Sequence, residues 1–283
     1  MLLLTALSGC ATMDERLRMA LYRPTTAVPA AFGGLRPVDH RYFIEWDAAG
    51  APAQRLQLWW MPHADPQAPT LLYLHGTFRN LYRNHPKMEA LRQAGFPVLA
   101  VEYRGWGEST PIVPSEASIH ADADLAWSEL QRRQPDRQRR VIFGHSMGGA
   151  VAVHLAARQA ASGSYAGLIL ESTFTRLPDV AAQTFRPAGT LTELTGQRMD
   201  SLARIGEIRV PLLMLHGEAD RTVPYTLGRR LFDAAPGPKT FVAVEGGRHS
   251  DLHDQAAERY QTALRAFIAA LPASPGPTAS RAR

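Results

Sequence analysis

Arg139-Arg140-Val141-Ile142-Phe143-Gly144-His145-Ser146-Met147-Gly148-Gly149-Ala150 is the stretch that decides how this 283-residue chain folds. An apolar run reaches Gly144. Three residues beyond Met147 the pattern turns small and helix-compatible, with Ala150, Val151, Ala152, Val153, Leu155, Ala156 and Ala157. A buried strand therefore passes into a helix across Gly144-His145-Ser146-Met147-Gly148, a strand–Gly-x-Ser-x-Gly–helix elbow. So sharp a turn strains its central residue, and side chains in place of the glycines would strike the neighbouring strand and helix. The serine hydroxyl is lifted out of the sheet at a helix N-terminus, where backbone N–H groups and the helix dipole favour developing negative charge. With 22 glycines in the chain, Gly-x-Ser-x-Gly also arises by chance, so it is the flanking strand and helix that give the motif its meaning.

Outward from the elbow, strands and helices alternate. Two β-rich runs, His40 to Trp46 and Arg55 to Met61, flank a turn at Ala49-Gly50-Ala51-Pro52 and form a hairpin. Strands follow at Thr70–Leu74, Pro97–Val101, Val141–Phe143, Leu168–Leu170, Pro211–Leu215 and Thr240–Val244. Helices are expected over about Tyr82–Ala94, Glu116–Arg133, the elbow helix, Tyr225–Ala235 and Asp254–Leu271. Such alternation means an α/β fold, a mostly parallel doubly wound sheet covered on both faces, here with an N-terminal antiparallel hairpin. Residues 11–37 read as a polar, proline-punctuated lead-in with no clear core face. Residues 272–283 read as a disordered Pro/Ala/Ser-rich tail. The interval 174–208 is the one long break in the rhythm. It has room for short helices such as Pro178–Phe185 and Ser201–Ile205, and it is expected to form a short helical cap over the site. The α/β domain then spans 38–271. No internal repeat is visible.

Composition narrows the partners. Hydrophobic content of 45% and charged content of 20% describe a globular chain. The net charge of +5 comes from scattered arginines. Only Arg132, Arg133, Arg137, Arg139 and Arg140 cluster, without interleaved aromatics, so a solvated helix end is expected and nucleic acid is not an expected partner. No apolar stretch of the mature region is long enough to span a bilayer. One cysteine, Cys10, excludes a disulfide framework and a thiolate metal site. Leu7-Ser8-Gly9-Cys10 resembles the lipobox of bacterial lipoproteins, which implies a signal peptide over residues 1–10 and lipidation at Cys10. Ala11 in place of aspartate implies no inner-membrane retention. The expected location is a lipid-anchored periplasmic protein of the outer membrane, held to the membrane through that anchor only, with a cytoplasmic location as the alternative.

In an open α/β sheet the functional groups gather beyond the carboxyl ends of the strands. Here those ends carry His75, Glu102, Ser146, Glu171-Ser172, Asp220 and His249. A serine nucleophile needs a histidine base and a carboxylate that orients it. Asp220 is preferred over Glu218 as the acid because Arg221-Thr222-Val223-Pro224 starts the next helix and fixes its loop. His249, on the loop Gly246-Gly247-Arg248-His249, is the base. His253 suits a surface helix start, His145 points away from Ser146, and His75 and His216 are expected to brace loops. For the oxyanion hole, backbone N–H groups are expected from Met147 and Thr77, with Phe78 in reserve.

These pieces together resemble the α/β-hydrolase superfamily, in its small lysophospholipase-like and serine-peptidase-like branch. The matching motifs are His75-Gly76-Thr77, Glu102-Tyr103-Arg104-Gly105-Trp106-Gly107-Glu108-Ser109, Gly144 to Gly149, Glu171-Ser172, Arg209 through Asp220, and Gly246 to His249. They span about His40 to Leu271. The order Ser146, Asp220, His249 is the superfamily's own, and Arg104 to Gly107 corresponds to a structural loop near the site. A serine nucleophile sets the chain apart from the dehalogenase and epoxide hydrolase members, which use aspartate. The resemblance implies acyl transfer to water through an acyl-enzyme, with no metal and no organic cofactor. The expected substrate is a short- to medium-chain carboxylic ester or a lipid ester, held by apolar residues such as Phe78, Leu81, Phe174, Phe185 and Leu191. Amidase, thioesterase and non-catalytic binding roles stand as alternatives.

Overall fold

The computed structural model describes residues 13–47, 50, 52–184 and 186–272; Cys10, Phe185 and residues 273–283 lie outside them. The sheet contains β1 (His40–Trp46), β2 (Gln54–Met61), β3 (Thr70–Leu74), β4 (Val98–Glu102), β5 (Arg140–His145), β6 (Gly167–Glu171), β7 (Leu212–Gly217) and β8 (Lys239–Val244). Their spatial order is β1-β2-β4-β3-β5-β6-β7-β8. β1 pairs antiparallel with β2, and β2 antiparallel with β4. Every later pairing is parallel.

The helices are α1 over residues 13–22, α2 (Leu81–Ala94), α3 (Glu116–Arg133), α4 (Met147–Ala160), α5 (Leu177–Thr184), α6 (Arg186–Leu194), α7 (Tyr225–Ala234), α8 (Leu252–Gln255) and α9 (Ala257–Ala269). Successive side chains of a strand point to opposite faces, and the buried residues sort that way. Leu72, Leu74, Leu99, Val101, Ile142, Leu168 and Leu170 join α3, α4 and α7 in one core. Leu71, Tyr73, Val98, Ala100, Val141, Phe143 and Ile169 join α2 and α9 in the other. With both faces covered, these strands read in the sequence as unbroken apolar runs rather than alternating ones.

The structure corrects four expectations. The lead-in has a core face after all: Tyr22, at the end of α1, is fully buried, and Phe32 packs its ring on Trp59, Tyr82 and His85. A proline-rich wrap anchored by single aromatics has no periodicity to read. Within 174–208 the second helix is α6, where Pro187 occupies the first turn, a position that needs no N–H partner; Ser201–Ile205 is a turn leading into a 3-10 segment, Ile205–Glu207. The expected helix Asp254–Leu271 is broken at Ala256, whose φ of −137° and ψ of 48° are not helical, and no Gly or Pro announces the break. Arg140 is buried rather than solvated, and it donates to the carbonyls of Gln134, Pro135 and Ser164.

α3 packs against α4, the helix that leaves the elbow, through two histidine rings: His120 and His154 stack with centroids 3.7 Å apart. Burial first, then the charge of His154 and of Arg204 and Arg158, pushes His120 down to about 3. Burial and the same arginines push His154 down to about 4. Both rings are thus neutral in the folded state, whereas in the unfolded chain they take up protons near pH 6.5. Stability from this pair is therefore complete above pH 6.5 and declines as the pH falls toward 4. Urea midpoints measured across that window should fall with pH in the wild type and fall less steeply in His120→Leu.

Candidate active site

β5 ends at His145 and α4 starts at Met147, so Ser146 alone makes the turn, with φ 56° and ψ −122°. The turn is possible because α4 begins almost in contact with the sheet. A Cβ at Gly148 would fall within 3.0 Å of the Leu74 carbonyl, and one at Gly144 within 3.0 Å of the Gly148 carbonyl. The strained residue is held on both sides: its N–H donates to the Glu171 carbonyl (2.9 Å), and its carbonyl accepts from Thr173 Oγ1 (2.8 Å). Met147 is the first residue of α4, so its amide is among those with no partner inside the helix.

Asp220 and His249 arrive from the loops after β7 and β8. His249 Nε2 lies 2.9 Å from Ser146 Oγ, and His249 Nδ1 lies 2.7 Å from Asp220 Oδ2. A carboxylate only accepts, so Nδ1 carries the proton and Nε2 is left to accept from the serine hydroxyl. Asp220 Oδ1 also accepts from the backbone N–H groups of Thr222 (2.8 Å) and Val223 (2.9 Å). Burial pushes the Asp220 carboxyl up, but hydrogen bonds from His216 and His249, the His249 charge and the Val223 amide outweigh it and hold the group well below the usual carboxylate range. These partners thus favour the ionised carboxylate at Asp220. Glu218, the competing acid, is exposed. His253 sits in α8 against Tyr260, away from the serine.

The other histidines brace. His216 Nε2 donates to the Val223 carbonyl (3.0 Å) and lies 3.4 Å from Asp220 Oδ2. His145 Nε2 donates to the His249 carbonyl (3.0 Å). Burial, then the charges of Lys87 and His249, hold His145 well below its ordinary value, so it is neutral. His75 is fully buried, 3.1 Å from Glu102 Oε1, while Glu102 Oε2 accepts the Leu81 N–H (2.8 Å). Burial pushes the Glu102 carboxyl up, against His75 and the Leu81 amide, which pull it down. The segment between His75 and Leu81 is thereby clamped at both ends. It presents Gly76, Thr77 and Phe78 to a chamber of about 30 Å³ shared with Ser146 and His249, room for one water-sized group. At its far end Arg79 Nη1 pairs with Asp251 (2.9 Å), two residues past His249.

Of the apolar residues expected to line the site, Phe78 and Leu191 are exposed near it, whereas Leu81 and Phe174 are buried in the two cores. A cluster that the sequence did not point to lies beneath the elbow. Lys87 of α2 and Glu171 at the end of β6 form a buried ion pair, and Tyr260 of α9 donates to the same carboxylate (2.8 Å). Glu171 stood out only as part of the Glu171-Ser172 motif. Lys87, in the middle of an otherwise ordinary helix, gives no signal at all.

A family model described as "Serine aminopeptidase, S33" matches residues 65–194 and 183–256. The chain is 33% identical to the uncharacterized protein Rv2307c of Mycobacterium tuberculosis over 236 residues, 83% of this chain and 80% of that one. It is 30% identical to the lysophosphatidylserine lipase ABHD12 of Danio rerio over 200 residues, 64% of this chain and 51% of the lipase. Among solved structures, an alpha-beta hydrolase from Vibrio vulnificus superposes with a TM-score of 0.68 at 20% identity, covering 89% of this chain and 93% of that one.

Removing one partner of a buried ion pair strands the other charge, which costs about 3–5 kcal/mol. Lys87→Met should lose stability of that order by urea denaturation, and adding Glu171→Gln, which removes the stranded charge while leaving Tyr260 an acceptor, should recover part of it.

Proposed function

The chain belongs to the α/β-hydrolase family described as serine aminopeptidase, S33, and from that premise we propose that it hydrolyses carboxylic esters, lipid esters among them, with Ser146 as nucleophile, His249 as base and Asp220 as its orienting acid. The observation that carries this reading is the continuous hydrogen-bonded chain from Ser146 Oγ through His249 to Asp220 at the carboxyl ends of β5, β7 and β8. Ser146 Oγ attacks the acyl carbonyl as its proton passes to His249 Nε2. The negative charge on the carbonyl oxygen falls to backbone N–H groups, assigned to Met147 and Thr77. His249 then protonates the departing alkoxide, leaving an acyl-serine and a free alcohol. Water attacks the acyl group and gives a proton to His249, and Ser146 leaves with that proton as the carboxylic acid is released. Asp220 stays ionised throughout and stabilises the imidazolium.

The lipase named among the relatives supports a lipid ester as substrate. The family's description supports a second reading, cleavage of an amide at an amino-acid residue. Turnover of p-nitrophenyl butyrate against an aminoacyl p-nitroanilide separates the two, and the ester is expected to be the faster by kcat/KM. A fluorophosphonate should add once to the wild type and not at all to Ser146→Ala, read by intact mass. Asp220→Asn should keep the fold and lower kcat by roughly 10⁴, as loss of the orienting acid does in serine hydrolases of this mechanism. A folded wild type that takes no label and turns over neither substrate would sink the proposal. A lipid anchor at Cys10 belongs to the same proposal: the wild type should partition with membranes and Cys10→Ala with the soluble fraction.

A further inference from the structure

Beside the chamber, a groove of about 320 Å³ runs between α1 and the pair α5–α6. Leu17 and Leu21 of α1, with Ala20 between them, face Val180 and Ala181 of α5 and Leu191 of α6 across it. The spacing of 17, 20 and 21 places those three residues on one side of a helix. The groove has two connections to the site. Phe78 lines both the groove and the chamber that holds Ser146 and His249. Thr222 also lines the groove, and its N–H is one of the two held by Asp220 Oδ1. The groove therefore ends between the loop that presents Thr77 and the loop that presents the acid.

Its walls are suited to a chain of methylenes. Phe78 is 45% and Leu191 48% exposed, an unusual outlay of apolar surface beside a catalytic chamber. Two of the hydroxyls lining the groove are spent on backbone carbonyls, Thr192 on Ala188 (2.8 Å) and Thr195 on Thr192 (2.7 Å), and the charged group of the lining, Arg23, sits over the Phe78 ring. With those bonds made, neither hydroxyl is directed at a bound peptide. The α1 wall is also fixed before anything binds. Tyr22 OH donates to Gln197 Oε1 (2.7 Å), which also accepts the first N–H of α3 from Glu116 (2.7 Å), and Arg18 reaches the carbonyls of Val113 and Pro114. A wall held in this way costs the ligand little ordering.

Resting on the proposed ester hydrolysis, we infer that this groove is the acyl-chain site, and that α1, a segment preceding the sheet, sets the length of aliphatic chain the enzyme accepts. The carbonyl carbon lies at Ser146 Oγ, and the chain passes Phe78 into the space between α1 and α5–α6. A methylene fully buried there is worth at most roughly a fourfold gain in kcat/KM, and a partly open groove realises a fraction of that, so esters of medium-length fatty acids are favoured over acetate.

The test is a p-nitrophenyl ester series from acetate to decanoate with wild type, Ala20→Trp and Ala181→Trp, which fill the groove from its two walls and touch no residue of the Ser146–His249–Asp220 chain. Wild type should favour decanoate over acetate by about tenfold or more in kcat/KM, and each Trp variant should lose most of that preference while keeping acetate turnover and the rate of fluorophosphonate labelling. A wild type indifferent to chain length, or Trp variants that keep the decanoate preference, would overturn the groove assignment and leave the hydrolase reading standing. Binding of dansyl-labelled undecanoate to Ser146→Ala provides a readout that needs no catalysis. Saturable binding displaced by decanoate and lost in Ser146→Ala/Ala20→Trp supports the site even if no ester is turned over. Absence of binding, or binding indifferent to Ala20→Trp, refutes it.

Discussion

The close approach of α4 to the end of β3 is the constraint on which the rest of the site depends. Because Gly148 has no side chain, the first turn of α4 lies against the Leu74 carbonyl. The residue between strand and helix is thereby forced to a positive φ of 56°, at a cost of order 1–3 kcal/mol. Strain of that size survives only where the surroundings leave no alternative. The Glu171 carbonyl fixes one side of Ser146, and the Thr173 hydroxyl fixes the other. Thr173 reaches the Ser146 carbonyl only because Gly149 leaves the space a Cβ would fill. Three glycines and one threonine thus aim a single hydroxyl.

The loops around that hydroxyl are held by buried charge rather than by apolar packing. Glu102 ties His75 to the start of α2; Glu171 joins α2, β6 and α9 through Lys87 and Tyr260; Asp220 gathers His216, His249 and two backbone amides. Hydrophobic residues of similar volume could make each place at least as stable. What apolar contacts lack is direction. A carboxylate with fixed donors locks the loop bearing it to a particular angle, and a nucleophile, a base and a pair of amides within hydrogen-bond reach of one atom require that angle. The His145 contact to the His249 carbonyl carries the same logic into the loop after β8, so the residue before Ser146 orients His249.

What could be read in advance follows from which constraints repeat and which do not. The central strands were legible because β3 to β7 bury both faces and leave apolar runs, and the edge strands β1 and β8 because of their β-branched and aromatic content. The observed bounds match the expected ones for β1 and β3 and differ by at most two residues for the others. The hydrogen-bonded order Ser146, His249, Asp220 was legible because each residue sits directly past a strand. Lys87, Thr173 and Tyr260 were not, since each gains its meaning from a partner tens of residues away, and no local pattern distinguishes a lysine under the elbow from one in water. The break at Ala256 fails for a similar reason: its neighbours, and not the alanine, dictate its conformation. Tyr22 and Phe32 are single anchors in a segment whose prolines suppress any period, so a wrapping lead-in looked like a plain one.

That lead-in has a further consequence for how the fold divides its labour. A hydrolase sheet supplies the chemistry at its strand ends, and those positions are fixed by the topology. Selectivity has to come from segments that can vary without disturbing the strands. Here two such segments meet: the excursion between β6 and β7, which supplies α5 and α6, and the stretch before β1, which supplies α1. Gln197, just past α6, accepts from both Tyr22 and the first turn of α3. Glu116, in that same turn of α3, accepts the amides of Arg198 and Met199. The two variable segments are therefore fastened to each other and to a core helix at one point, beside the groove and outside the hydrogen-bonded chain of Ser146. A change in either segment can reshape the groove while the geometry at the serine stays as the sheet sets it, and this separation lets one fold keep its chemistry as its substrate changes.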